Sequence, residues 1–372
     1  MTKSIVSLKA FSKFAVNKKN FSAMTTPSTS VLIIYTGGTI GMQRDENGTL
    51  IPFDFNSIEK EFPAVRHLHV HIDVHKMPPI DSSNVTPQLW TELARTVKDN
   101  YDKYDGFVVL HGTDTMSYTA SALSFMFENL KKPVVFTGSQ IPMGIMRTDG
   151  REILITAIEI AAAQRNGYPI VPEVCLYFQN RLFRANRTSK LSAEALNAFE
   201  SRNYPPLAEV GVNITYNSSF IHYENGWFEG EFQPEPLRVM DGFDTNVVIL
   251  KIFPGISEVT LKAVLSVEGL RGVILETFGT GNAPTADWFI NLLAETIERG
   301  ITVVNVTQCV GGGVAMELYE TGKRLQQVGV LSGHDMTTEA AVTKLMLQLG
   351  NCPQKEGVVE AMLKSKSGEF GC

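Results

Sequence analysis

No stretch of this 372-residue chain holds the roughly 18–20 consecutive apolar residues that a bilayer-spanning helix needs, which excludes a transmembrane helix. There is no G-x-G-x-x-G, no G-K-[ST] and no H-E-x-x-H, so the usual signatures of dinucleotide, nucleoside triphosphate and zinc-protease chemistry are all missing. The four cysteines, Cys175, Cys309, Cys352 and Cys372, lack metal-ligand spacing and read as free thiols of a reducing cytosol. Acidic residues are absent from residues 1–30, which carry Lys3, Lys9, Lys13, Lys18 and Lys19. That segment also lacks the continuous apolar core of a secretory signal. It is expected to be a dispensable extension, with translation starting at Met24; an organelle transit peptide is the alternative. The chain as a whole carries a net charge of −6, which argues against nucleic acid as its main partner. His67, His69 and His71 alternate, which places them on the outer face of a strand rather than around a metal.

What is present is ordinary soluble-protein composition, 44% hydrophobic and 19% charged. The length exceeds what one core usually supports and predicts two domains. Val31–Tyr35, Val70–Met77, Gly106–His111, Pro133–Thr137 and Val174–Gln179 read as strands. Helices are expected at Thr86–Asn100, over a stripe of Met116, Ala120, Leu123, Phe127 and Leu130, and around Leu154–Ala161. Gln43–Asp54 reads as a loop and Ser57–Phe62 as a short helix. This alternation predicts an α/β fold with a mostly parallel, flavodoxin-like sheet flanked by helices. The catalytic domain is expected over 31–215 and a linker over 216–240. A second alternation then predicts a smaller α/β domain over 241–372, with strands at Val247–Phe253, Gly272–Phe278 and Ile301–Thr307. Its helices are expected near 257–268, 285–299, 337–349 and 355–364.

Three strands of the first domain end alike: Tyr-Thr-Gly-Gly-Thr, Leu-His-Gly-Thr-Asp and Phe-Thr-Gly-Ser-Gln. In a parallel sheet the carboxyl ends share one edge, so Thr39, Thr113, Asp114 and Ser139 should line one rim. The glycines at 37, 38 and 41 either cradle a phosphate or present the Thr39 hydroxyl, and the nucleotide signals are missing. A threonine nucleophile needs a proton acceptor, and a lysine with a lowered pKa can serve. Lys190 lies after a strand, although taken alone it reads as a solvated surface residue.

Tyr-Thr-Gly-Gly-Thr-Ile-Gly at 35–41 and His-Gly-Thr-Asp-Thr-Met at 111–116, in this order, resemble the two signature blocks of the bacterial-type asparaginases. The resemblance runs through Asp81-Ser82-Ser83, Thr137 to Pro142, Asn186 to Lys190, Gly279 to Pro284 and Thr307-Gln308-Cys309, from about residue 30 onward. It favours the cytoplasmic type I branch. It implies hydrolysis of L-asparagine to L-aspartate and ammonia, with L-glutamine a weaker second substrate. Thr39 would be the nucleophile of a β-aspartyl enzyme. Thr113, Asp114 and Lys190 would handle protons and activate water. Asp81, Ser82, Ser83, Thr113 and Asp114 would hold the substrate's charged ends. No metal or organic cofactor is implied, and neither a membrane nor a nucleic acid partner.

The chain departs from the family pattern in two places. The loop after the glycine turn, Asn47 to Pro52, has no tyrosine to complete the first triad, and Tyr319 is the matching candidate; the alternative is a packed aromatic. An effector site in some type I enzymes uses an arginine where this chain has Glu276, while Thr307 and Cys309 are retained, which puts allosteric activation in doubt. Asn282 matches a residue that reaches a partner subunit's site, implying a homodimer or homotetramer; the alternative is a loop-capping residue. Two other functions share these motifs: the amidase subunit of a tRNA amidotransferase, and a non-catalytic amino-acid-binding protein on the same scaffold.

Overall fold

The computed structural model describes residues 29–44, 50–52, 68–232 and 235–371. The extension over 1–28, the short helix expected at Ser57–Phe62, and His67 lie outside the described residues. In chain order the larger sheet region contains β1 (Ser30–Tyr35), a hairpin of β2 (Met42–Arg44) and β3 (Leu50–Pro52), β4 (His71–Lys76), α1 (Pro87–Asp99), β5 (Gly106–Leu110), α2 (Met116–Met126), β6 (Val134–Thr137), α3 (Gly150–Ala162), β7 (Val174–Phe178), β8 (Arg181–Arg184), β9 (Ala208–Val210) and β10 (Ile214–Tyr216). The C-terminal domain contains β11 (Val247–Lys251), α4 (Glu258–Leu265), β12 (Gly272–Thr277), α5 (Asp287–Glu298), β13 (Thr302–Thr307), α6 (Glu320–Gln327), β14 (Leu331–Ser332), α7 (Thr338–Asn351) and α8 (Lys355–Leu363).

The eight-stranded sheet has the order β10-β9-β8-β7-β6-β5-β1-β4, with the run from β7 to β4 parallel and the other three strands antiparallel. Its central strands are apolar throughout because both faces are covered. Leu32, Ile34, Phe107 and Val109 join one core with Leu93 and Leu123 of the helices α1 and α2. The alternate residues Val31, Ile33, Val108 and Leu110 pack on the opposite face against Leu154 and Ile158 of α3. Burying each such side chain stabilises the fold by about 1.5–3 kcal/mol. The four-stranded parallel sheet β11-β12-β13-β14 is likewise covered on two sides. The fold is therefore the expected mixed α/β class, a large mostly parallel sheet with a smaller C-terminal domain.

Several local expectations are corrected. Gln43–Asp54 is not all loop, because β2 and β3 pair antiparallel. The helix α2 stops at Met126: Phe127 and Glu128 turn into a strand that pairs with Val239 and Arg238, and Asn129 takes a left-handed φ of 63°. A tertiary partner from the connecting segment thus overrides a helical apolar stripe. The histidine strand begins at His71, because His69 has φ 54° and breaks the extended run. The polar helix α6 was not legible, since only Gly322 and Leu325 of it are buried.

The C-terminal domain closes around a buried ion pair. Lys344 Nζ on α7 lies 2.6 Å from Glu369 Oε1, with side chains 1% and 0% exposed. The ammonium also donates to the carbonyls of Met362 and Lys364, and Glu369 accepts the Ser367 N–H at 2.9 Å. Such a pair is hard to break singly, because one charge is left buried and alone. Lys344→Met should destabilise the protein by about 3–5 kcal/mol, and adding Glu369→Leu should recover most of that loss. Urea unfolding of both variants checks this; equal losses in the single and double variant would contradict it.

Candidate active site

The carboxyl ends of β1, β4 and β5 converge, and their turns touch at the backbone. Thr36 donates both its N–H and its hydroxyl to the Leu110 carbonyl at 3.0 Å, and Ile80 N–H donates to the Thr36 carbonyl at 2.8 Å. Gly37 and Gly38 take φ of +125° and +85°. A Cβ on Gly37 would sit 2.3 Å from the Ile80 oxygen, and one on Gly38 would sit 2.6 Å from the Gly112 Cα. A Cβ on Gly112 would in turn sit 2.6 Å from Ser82 Oγ. Only glycine allows this stack. Thr39 follows it, half-buried, as the first residue of the 3₁₀ turn Thr39–Gly41.

Asp81, Ser82 and Ser83 form the turn after β4. The Asp81 carboxylate accepts the Ser83 N–H at 2.9 Å and the Ser83 hydroxyl at 2.8 Å. Those two bonds, the backbone one foremost, hold its pKa below the ordinary carboxylate value. Ser82 is buried against Gly112, and the Thr115 hydroxyl donates to the Ser82 carbonyl at 2.7 Å, locking two turns together. Thr115 carries no distinct signal in the sequence beyond its place in the Thr-Asp-Thr run.

Lys190 comes from the far side of the sheet region to the same place. Its Nζ donates to Thr113 Oγ1 at 2.8 Å and to Asp114 Oδ1 at 2.5 Å. The Lys190 side chain is only 17% exposed, against 65% for Asp114, so the reading of Lys190 as a solvated surface residue fails. A hydroxyl, an ammonium and a carboxylate in hydrogen-bond contact can pass a proton.

His111 sits beneath this turn, fully buried. Its Nδ1 meets the Gly112 carbonyl at 2.7 Å and its Nε2 meets Thr119 Oγ1 at 3.0 Å, while Trp90 Nε1–H donates to the same Thr119 oxygen at 3.1 Å. A carbonyl can only accept, so Nδ1 carries the proton and Nε2 accepts from Thr119. Burial pushes the His111 pKa down to about 4, with the bond to Gly112 opposing it weakly.

The other expected residues are held as follows. Ser139 is buried and donates to the Ile141 carbonyl at 2.9 Å, so it braces its own turn rather than lining an open rim. Tyr319 heads α6, 55% exposed, and in the same corner Thr321 donates to Asn282 Oδ1 at 2.6 Å. The Glu276 carboxylate accepts the Thr338 hydroxyl at 2.6 Å and lies 3.7 Å from Lys251 Nζ. Thr307 donates to the Gly279 carbonyl at 2.6 Å and accepts the N–H of the exposed Cys309 at 3.0 Å. Among the described residues no cluster of three or more His, Cys, Asp or Glu could hold a metal ion, and no helix is long and apolar enough to cross a membrane.

Comparison with known proteins matches residues 30–222 to the family described as asparaginase, N-terminal, and residues 246–362 to the glutaminase/asparaginase C-terminal domain. The chain belongs to the asparaginase family. It is 43% identical over 348 residues to L-asparaginase 1 of Escherichia coli K12, covering 92% of this chain and 98% of that protein. The crystal structure of L-asparaginase I from Vibrio cholerae superposes with a TM-score of 0.80 at 39% identity, covering 93% of this chain and all of that one. A glutamyl-tRNA(Gln) amidotransferase component from Pyrococcus abyssi is 31% identical over 350 residues, covering 91% of this chain and 76% of that protein.

The neutral state of His111 is testable. Its folded pKa lies below the unfolded value of about 6.5, so its contribution to stability is fully present above that value and is lost as pH falls through about 4. Side-chain ¹⁵N chemical shifts of this histidine should keep the neutral pattern at pH 5.5. Titration near 6.5 would contradict the burial argument.

Proposed function

We propose that this chain hydrolyses the side-chain amide of L-asparagine, giving L-aspartate and ammonia, with L-glutamine a poorer substrate. The observation that carries this reading is the contact of Lys190 Nζ with both Thr113 Oγ1 and Asp114 Oδ1, on a turn packed against the one that presents Thr39. Thr39 Oγ attacks the amide carbon. Its proton passes to the departing nitrogen, the C–N bond breaks and ammonia leaves a β-aspartyl ester. Water, deprotonated through the Thr113–Lys190–Asp114 group, then attacks the ester carbon and returns the proton to Thr39. Backbone N–H groups of the glycine turns would stabilise the tetrahedral oxyanion, a term of about 3–4 kcal/mol per donor. Asp81 and Asp114 supply negative charge for the substrate ammonium, Ser83 holds the Asp81 carboxylate in place, and Ser82 supplies a hydroxyl for the substrate carboxylate.

The relative named L-asparaginase 1 matches over nearly its whole length at 43% identity, which favours the hydrolase over the amidotransferase reading. We place the enzyme in the cytoplasm, and the free thiols of Cys175, Cys309 and Cys352 support a reducing compartment. We also propose a homodimer or homotetramer in which Asn282 reaches a partner's site, and Tyr319 as the tyrosine of the first triad; their shared, solvent-accessible corner supports both. Glu276 presents a carboxylate where the effector site of some type I enzymes has an arginine, so we assign no effector role to Glu276, Thr307 and Cys309.

Thr39→Ala should lower ammonia release by at least about 10³-fold, and Thr113→Val or Lys190→Met by about 10²–10⁴-fold, each in a folded protein. Full activity in the Thr39 variant would sink the mechanism. Ammonia release against asparagine concentration should be hyperbolic; a sigmoidal curve would restore the effector site.

A further inference from the structure

Lys190 ends a five-residue segment, Asn186–Lys190, whose side chains reach into separate parts of the molecule. Asn186 Nδ2 donates to the Ser367 carbonyl at 3.0 Å. The Arg187 guanidinium, 1% exposed, forms a two-pronged pair with Asp335 at 2.9 and 2.6 Å. It also donates to the carbonyls of Glu369 at 2.6 Å and Asn203 at 3.0 Å. Asp335 additionally accepts the Gly371 N–H at 2.9 Å. Burial alone would raise the Asp335 pKa, but the Arg187 hydrogen bonds and charge outweigh it and hold the carboxyl below its usual value. Thr188 returns to its own chain, donating to the Arg184 carbonyl at 2.8 Å. Ser189 donates to Glu339 Oε2 on α7 at 2.9 Å. Lys190 alone points at the site.

A lysine side chain is long and loses substantial rotamer freedom when fixed, so placing its Nζ to a fraction of an ångström requires a fixed backbone. This backbone is held within the larger domain by the antiparallel pairing of Ser189 and Lys190 with Glu200 and Phe199, and from outside it by the C-terminal domain and the segment after α8. We propose that Arg187 and Asp335 are positioning residues for Lys190, and that the Ser189–Glu339 bond is the second point of the same clamp. The C-terminal domain thereby adjusts the distance from Lys190 to Thr113 beyond what the pairing with Phe199 and Glu200 fixes. The inference rests on the catalytic role proposed for Lys190, and the test separates the two.

Asp335→Asn keeps the size of the side chain and removes its charge. The measurement is steady-state ammonia release by the full-length protein, alone and in a Lys190→Met background. In the wild-type background kcat should fall about ten- to a hundredfold with KM changed less than about twofold. In the Lys190→Met background the same substitution should change the residual kcat by less than about twofold, because the group it positions is gone. Ser189→Ala should lower kcat about three- to tenfold, and it too should be silent without Lys190. It serves as the readout if Asp335→Asn fails to fold. Equal fold-losses in both backgrounds would reveal a merely structural clasp and overturn the proposal, as would wild-type kcat in a folded Asp335→Asn or Ser189→Ala variant. Full activity in Lys190→Met alone would overturn the role of Lys190 itself.

Discussion

Gly38 and Gly112 approach so closely that a Cβ on Gly38 would lie 2.6 Å from the Gly112 backbone. The rest of the site depends on this contact. It brings the turns after β1 and β5 to one point, and each turn is followed at once by a threonine, Thr39 and Thr113. The parallel sheet guarantees only that strand ends share an edge. The absence of side chains at 37, 38 and 112 turns a shared edge into direct contact between turns, with Ser82 pressed against Gly112 from the third turn. The Thr36 and Thr115 hydroxyls, spent on the carbonyls of Leu110 and Ser82, then hold the three turns together without competing for substrate.

What the sequence revealed follows from the same geometry. A turn that needs glycine and a presented hydroxyl writes itself in a short run of letters, so Thr39, Thr113 and Asp114 were legible as parts of one rim, and the central strands as apolar runs. Lys190 was legible only through resemblance, because what buries it lies elsewhere in the chain: Thr113 and Asp114 are 77 and 76 residues away. Arg187 lay inside the Asn186–Lys190 block of the resemblance, but its partner Asp335, 148 residues away, left no local signal. Ser139 was misplaced for the converse reason, since its turn spells the same grammar but its hydroxyl is used by the Ile141 carbonyl. Phe127 fitted a helical stripe and became a strand, because a segment far along the chain offered it a backbone partner.

The two domains divide the work. The larger sheet supplies turns rigid enough to present two hydroxyls. The C-terminal domain anchors Arg187 through Asp335 and Ser189 through Glu339. Its own interior is organised around a second buried pair, Lys344 with Glu369, in the same closing segment whose Glu369 carbonyl accepts from Arg187. Buried charges contribute little net stability once their desolvation is counted. The Arg187 pair joins the C-terminal domain, and the Glu369 carbonyl the closing segment, to the stretch that carries Lys190.

His111 bears on the proposed choice of proton carrier. It stands two residues before Thr113 and would be the obvious general base on residue type alone. Both of its nitrogens are already committed: Nδ1–H to the Gly112 carbonyl, and Nε2 to the Thr119 hydroxyl, which in turn accepts from Trp90. Taking up a proton would put a second N–H against Thr119, whose oxygen already accepts from Trp90, and would charge a fully buried ring. The imidazole is therefore an orienting group that pins the Gly112 carbonyl and the turn that bears Thr113. With histidine withdrawn from acid–base work, Lys190 is the titratable side chain among the described residues that touches both Thr113 and Asp114, and the proposed mechanism therefore gives it the proton transfer.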